Sequence, residues 1–410
     1  MSLERAIPAM PGGRRFGINA WAMAGVLGLM WAVLALLPAT RGVFLTQGNL
    51  TALLSQSAVL LVVAVGMTMV IIIRGIDLSV GAGVALTGTV AALCHAKLGL
   101  PAPVAILAAL ACGAAIGAWH GWWVSWLGIP AFVVTLAGFK AYRGGALVLS
   151  DAQSMVMGDD FAFLAGTLPV SVTWGIGIGA VAVGVTMTLR DARRRKQFSL
   201  APTSPTVLAT QLAGMALLAG ILLAVFGGRG MPVLVVIAGA VAAAGAFLTK
   251  RTRFGRHLYA IGGNTEAARL SGVDVKRVTM ATYMILGVLT ALAGLMLAAR
   301  VNGVTPGAQG SNLELDAITA VVIGGTSLLG GRGSVVGTVL GTLVFATLAN
   351  GMNLLRVDSN LQWIFTGLIL LAAVLIDVLS KGKPRPGAAM IALADDAVTR
   401  STADFSMSIG

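Results

Sequence analysis

Long stretches of this sequence carry no charge at all, and that feature restricts the fold more than any other. No Asp, Glu, Lys or Arg lies between Arg15 and Arg41, Arg41 and Arg74, Lys97 and Lys140, Asp160 and Arg190, Lys196 and Arg229, or Arg277 and Arg300. A helix needs roughly 17–25 apolar residues to cross a hydrocarbon core. Water is absent there, so backbone groups must pair internally, which admits only helices and closed barrels. These runs are continuous rather than alternating, which excludes a barrel. Only 10% of the 410 residues are charged and 57% are apolar, whereas soluble domains carry roughly a quarter of their residues as charge. The chain reads as all-α, a polytopic transmembrane bundle.

Apolar runs place spans near 17–38, 51–73, 79–96, 101–119, 130–150, 170–189, 207–227, 231–249, 278–299, 315–330, 334–354 and 360–378. An even number of crossings puts both termini on one side. Of the 28 Lys and Arg, five (Arg41, Lys97, Arg229, Arg300, Arg356) then fall outside, two (Lys140, Arg143) fall within a span, and the remaining 21 fall inside. That bias is the one expected of cytoplasmic loops. The net charge of +13 is therefore read as topology and attraction to anionic membrane lipids, with no nucleic acid implied. The division is a cytoplasmic segment 1–16, a membrane domain 17–379, and a polar tail 380–410 expected to be disordered in the cytoplasm. Within the membrane domain, 190–206 reads as a basic cytoplasmic loop and 250–277 as a second one. Glycines crowd two spans: Gly75, Gly81, Gly83 and Gly88 in one, Gly324, Gly325, Gly330, Gly331 and Gly333 in the other. Interrupted helices of that kind are tolerated where they pack on neighbours or line a cavity, so the span count is about 10–12. Ser79-Val80-Gly81 and Ser334-Val335-Val336-Gly337 echo each other, which leaves either an internal repeat or coincidence.

Catalytic constellations are missing. Cys94 and Cys112 lie in apolar runs and read as buried thiols, and His95, His120 and His257 have no metal-ligand spacing. No G-x-x-x-x-G-K-[ST] loop occurs, so the chain offers no phosphate cradle for ATP. Titratable groups inside a membrane persist for function, but Asp77, Glu314, Asp316 and Asp377 sit at span ends. Lys140 and Arg143 lie within the fifth span and either snorkel to its surface or face a polar cavity. A membrane enzyme or an ion-coupled secondary transporter would need clustered mid-span carboxylates or histidines. The segment 250–277 is the most informative soluble stretch. Gly262-Gly263 read as a turn, Asn264 or Thr265 caps a helix over 266–271, and Gly272 ends it. Glu266 stands in the first turn, where the helix dipole favours it. A short capped helix lined by Ala267 and Ala268 is shaped to dock into a partner's groove.

This loop resembles one in the membrane subunits of monosaccharide ABC importers, the ribose/xylose/galactose permease family. Its A-x-G-G-N-x-x-A-A-x-x-S-G-[IV] pattern falls on Ala260, Gly262, Gly263, Asn264, Ala267, Ala268, Ser271, Gly272 and Val273. Three further family motifs stand in order: G-I-D-L-S-V-G at Gly75 to Gly81, I-P-[AS]-F-[IV]-V-T-L at Ile129 to Leu136 with Arg143-Gly144, and the glycine-rich Ile318 to Gly333. The resemblance implies a type II ABC importer permease: not an enzyme, holding no cofactor, translocating xylose or a related sugar across the inner membrane by alternating access. It implies a homodimer with a second permease, cytoplasmic ATPase subunits that bind the ATP, and a periplasmic sugar-binding protein. It assigns ATPase coupling to the loop around Asn264, including Glu266, Arg269 and Ser271, and makes Asp77, Ser79, Thr135, Lys140, Arg143, Gly324 and Gly325 candidates for the pathway. The residues 170–249 depart from shorter ribose-type members and match the longer xylose-type branch, while Lys140 is not demanded by the motif it lies in. Nucleosides and branched-chain amino acids are the alternative substrates.

Overall fold

A computed structural model describes residues 15–198 and 204–380. The expected segment 1–16 lies almost entirely outside the described residues, as do the tail and the basic residues Lys381 to Arg385. The chain forms α1 (Arg15–Leu36), α2 (Gln47–Ile72), α3 (Val80–Ala92, continued by a π-helical turn Leu93–Lys97), α4 (Ala102–Ser125) and α5 (Ala131–Leu149). A short α6 (Ala162–Ala165) precedes α7 (Val170–Gln197), α8 (Pro205–Phe226) and α9 (Val233–Arg251). Then come α10 (Arg253–Gly263), α11 (Thr265–Leu270), α12 (Val275–Arg300), α13 (Leu313–Ile323), α14 (Val335–Leu354) and α15 (Ser359–Ser380). Among the described residues ten of these helices are long and apolar enough to cross a membrane. The all-α expectation is met, save for one two-residue pairing of β1 (Met155–Val156) with β2 (Gly303–Val304).

Contacts sort the loops into two ends, as the charge pattern requires. At one end Lys97 pairs with Asp151 at 2.9 Å and His95 lies 3.5 Å from Asp160, while β1–β2 ties the 150s to the 300s. At the other, the basic end, Arg251 pairs with Asp191 at 2.8 Å and Arg74 reaches Gly262 and Gly263. The central layer is α12 packed against α2, α3 and α4, with Val62, Val63, Met67, Val70, Leu286 and Met296 buried in its core.

Three expectations need correction. The span 315–330 is not a continuous helix. α13 covers 11 residues, a rise of about 16 Å against the roughly 30 Å of hydrocarbon. It stops where Gly325, at φ +82°, turns the backbone out of the helix. The first part of the expected loop 190–206 is helical: α7 runs on through Arg190 to Gln197, because its backbone bonds need not stop at the membrane surface, and 199–203 lie outside the described residues. Nor do Gly262 and Gly263 form a turn; they close α10, whose Phe254, Leu258 and Ile261 face inward at helical spacing.

The two glycine-crowded regions are built alike but run in opposite directions. α2 descends to the basic end, the chain returns as the non-helical stretch 73–79, and α3 begins about halfway along α12, where Gly83 faces Thr290. α12 ascends to the opposite end, the chain returns through 301–312, and α13 begins beside the start of α3. There Gly81 lies against the carbonyl of Gly310 and the carboxyl of Glu314, with no room for a methyl on either glycine. Ser79 and Ser334 each immediately precede a helix, so their echo marks helix starts. Ser334 caps α14 by accepting from Gly337 N at 3.0 Å, whereas Ser79 bonds Asp77 instead.

Candidate functional site

At the basic end, α11 lies on the rim of the bundle, with one face packed on it and the rest exposed. Asn264 is its N-cap, accepting from Ala267 N at 3.0 Å. Glu266 and Arg269 form a two-pronged pair at 2.6 and 3.0 Å, Ser271 Oγ donates to Ala267 O at 2.8 Å, and Gly272 at φ +83° ends the helix. The Arg269 hydrogen bonds hold the Glu266 carboxyl below its ordinary range and raise the guanidinium. Ala268 is buried against the bundle. The opposite face of α11 carries Ala267, Glu266, Arg269 and Leu270, all exposed, with Leu270 at 76%. A large apolar side chain presented between opposite charges is what a docking helix offers a groove.

The end of α10, just before this helix, touches both glycine-crowded breaks. Arg74 donates from Nε to Gly262 O at 2.8 Å and from Nη2 to Gly263 O at 2.7 Å. Arg74 itself has φ +68°, an arrangement that costs a non-glycine residue something and persists only where its surroundings enforce it. Gly331 N donates to Ile72 O at 2.8 Å, and Tyr259 Oη donates to Gly333 O at 2.9 Å. Burial pushes the Tyr259 phenol up, which keeps it a hydrogen-bond donor. Gly262 sits where a methyl would overlap both Ile72 O and Gly331 N. The stretch leading into α3 and the stretch joining α13 to α14 are thus clamped to one short element at the basic end.

Further in, the stretch 73–79 is held by a buried polar cluster. Asp77 Oδ1 accepts from Ser79 N at 2.8 Å and from Ser79 Oγ at 2.7 Å. Asp77 Oδ2 lies 3.3 Å from His120 Nδ1, within ion-pair range although off the line of a hydrogen bond. His120 Nε2 shares a hydrogen bond of 2.9 Å with Tyr142 Oη, and the Tyr283 ring meets the imidazole edge-on. Thr135 Oγ1 donates to Ile76 O at 3.2 Å. The cluster therefore joins the return stretch to α4, α5 and α12. His120, Tyr142 and Tyr283 were not singled out as site residues from the sequence. The available signal was a histidine in an otherwise charge-free run.

The remaining pathway candidates divide. Arg143 donates from Nη1 to Pro306 O and Gln309 O, each at 2.8 Å, and so fixes the return stretch 301–312. Gly324 packs against Gly337, and Gly325 makes the turn after α13. Lys140 is exposed on α5, its Nζ 5.8 Å from the neighbouring Phe139 ring. The structure brings Asp77, Ser79 and Thr135 together; Lys140 stands apart. Among the described residues no cluster of His, Cys, Asp and Glu is placed to hold a metal.

A family model described as the branched-chain amino acid transport system / permease component matches residues 49–374. The chain belongs to this permease family. The xylose transport system permease protein of Escherichia coli (strain K12) is 41% identical over 345 residues, covering 83% of this permease and 88% of that protein. Its counterpart in Haemophilus influenzae is 41% identical over 348 residues, covering 84% and 92%. The ribose import permease protein of Escherichia coli (strain K12) is 37% identical over 368 residues, covering 89% and 97%. No solved structure matches the permease significantly. The range matched by the family model spans α7 and α8.

Proposed function

We propose that this permease is the membrane subunit of an ATP-driven importer of a monosaccharide, xylose or a related pentose. The similarity to xylose and ribose permeases supports the substrate class. The mechanism rests on one observation: the Arg74 bonds tie the carbonyls of Gly262 and Gly263 to the break before α3, one residue from the exposed α11. A separate ATPase, which binds the ATP, docks on α11. When its subunits close, α10 and α11 move as one unit, and both breaks must follow. A ligand or partner shifts such an equilibrium only by favouring one state; here the docked ATPase favours one arrangement of α3 and α13 over the other. The basic end faces the cytoplasm, both termini lie there, and the membrane is the bacterial inner membrane. A second copy of the permease completes the pathway, and a periplasmic sugar-binding protein delivers substrate at the opposite end.

Reconstitution tests this. With ATPase, binding protein and ATP, vesicles should accumulate xylose; the permease alone should accumulate nothing. Reversing the charges in Glu266→Arg with Arg269→Glu, and removing Leu270 as Leu270→Asp, should leave insertion normal and abolish ATPase co-purification. Accumulation driven by a proton or sodium gradient without the ATPase would overturn the reading. Accumulation of leucine in place of xylose would overturn the substrate assignment alone.

A further inference from the structure

A cavity of about 850 Å³ lies in the half of the molecule away from α11, between α2, α13, α14, α15 and the return stretch 301–312. Small-molecule sites typically span roughly 300–1,000 Å³, with mostly apolar walls and few polar groups. Each helix contributes one stripe to the wall at helical spacing, such as 53, 56, 57 and 60 from α2 and 312, 315, 316 and 319 from α13. Its floor is the start of α13, where that half-helix meets α3. Anything held there touches the element that the Arg74 clamp would move.

Several polar side chains on this wall stand out because the chain does not use them. The carboxylate of Asp316, the guanidinium of Arg300 and the amide of Gln56 have no hydrogen-bond or ion-pair partner among the described residues. Other polar groups beside them are already satisfied: Thr319 donates to Leu315 O at 2.7 Å and Asn353 Oδ1 accepts from Gln362 at 3.0 Å. A carboxylate in a largely apolar wall is costly to leave unpaired, and in the membrane such a group marks a pathway. Gln309, on the same wall and 8% exposed, has neither amide atom paired.

We infer that this cavity is a holding site for a neutral monosaccharide on its way through the permease, with Asp316 as its central acceptor. The inference rests on the sugar-importer reading and adds the site. A sugar presents several hydroxyls, each a donor and an acceptor. Asp316 accepts from two neighbouring hydroxyls, while Arg300 and Gln56 donate to others. Trp363, on α15 at 68% exposed, offers an indole face to the C–H side of the ring. One carboxylate and one guanidinium cancel, so the wall selects against a ligand of net charge. The contacts are few, and a transport site needs that, because substrate must also leave.

The test uses the permease assembled with ATPase and binding protein in vesicles. Asp316→Asn keeps the shape, removes the charge and replaces one of the two acceptor oxygens by an NH2 donor. Xylose uptake should fall about tenfold or more, as expected when a charge-assisted hydrogen bond is lost, while ATPase co-purification stays at the wild-type level. Trp363→Ala should lower uptake without touching a buried group. Wild-type uptake in both variants would overturn the site. Failure of the unmodified assembly to take up xylose would instead sink the importer reading, so the two failures are distinguishable. As an independent measurement, a Gln56→Cys permease should react with a water-soluble maleimide, and xylose should slow the reaction while leucine does not. Protection by leucine alone would assign the cavity to an amino acid. Reaction only with a lipid-soluble maleimide would make it a lipid-filled groove. Either result would overturn the inference.

Discussion

The two breaks in the bundle share a plan and differ in how their polar groups are satisfied. At the break before α3, Asp77 is buried, hydrogen-bonded by Ser79 and 3.3 Å from His120, and Thr135 and Tyr142 extend the network into α5, with His120 Nδ1 and Tyr283 Oη left without a hydrogen bond. At the break around α13, Asp316 and Gln56 face a cavity with nothing to bind, and Gly324, Gly325, Gly330 and Gly331 replace side chains with bare backbone. A buried network that is mostly hydrogen-bonded resists movement, since most alternative positions leave a desolvated group unpaired. An unsatisfied one waits for a ligand. The comparison casts the first break as a fixed pivot and the second as the part that adapts.

Damage to the pivot is the first test. His120→Ala leaves the buried Asp77 and Tyr142 without their imidazole neighbour and should lower stability by about 1–3 kcal/mol, the usual cost of leaving a buried polar group unpaired. Thermal unfolding in detergent would show it, and Asp77→Ala with His120→Ala should recover part of the loss in a double-mutant cycle. If the single and double variants are equally unstable, the pair is not coupled and the pivot idea weakens. Next, Arg74→Met removes two bonds from a guanidinium to carbonyls, about 1.5–3 kcal/mol each when a charge is involved. The clamp should loosen, so ATPase activity persists in the assembly while uptake drops. Asp316→Asn should leave stability unchanged or raise it, because no contact within the chain is lost and an unpaired carboxylate is removed, even though transport suffers. A large destabilisation there would mean the second break is as locked as the first.

The smallest effect concerns α11, and its sign follows from the pair that holds it. The folded Glu266 carboxyl titrates below its ordinary value, so its stabilisation is present above that ordinary value and is lost as pH falls through the lowered one. Protection of the α11 amides, taken as exchange relative to the intrinsic rate at each pH, should be flat near neutrality and fall only in acid, whereas Glu266→Gln should show the lower protection throughout. Both side chains are largely exposed, so the change is slight. A loss of protection near neutral pH would place another group in control.

The membrane spans were legible because apolar runs of that length have one stable outcome in lipid. The cap at Asn264 and the stop at Gly272 were legible because capping is local chemistry. α10 was harder. The adjacent glycines Gly262 and Gly263 signal a turn, and only the spacing of Phe254, Leu258 and Ile261 argues for the helix that the bundle then stabilises. The π-helical turn at Leu93–Lys97 left no readable sign. His120 and Asp77 are 43 positions apart, one on α4 and the other in the non-helical stretch 73–79, and nothing local announces that they meet. Arg143 and Lys140, three residues apart on α5, looked equivalent as charges within a span. Only tertiary placement sends one to the return stretch and leaves the other on the surface.

The contact at Gly262 has a mechanical consequence. Backbone there rests on backbone, the carbonyl of Ile72 on one side and the amide of Gly331 on the other, with no side chain between to bend or rotate. A linkage made of flexible side chains would absorb a small displacement. This one has almost no slack, so even an ångström of movement at the docking helix must appear, nearly undiminished, at the centre of the membrane.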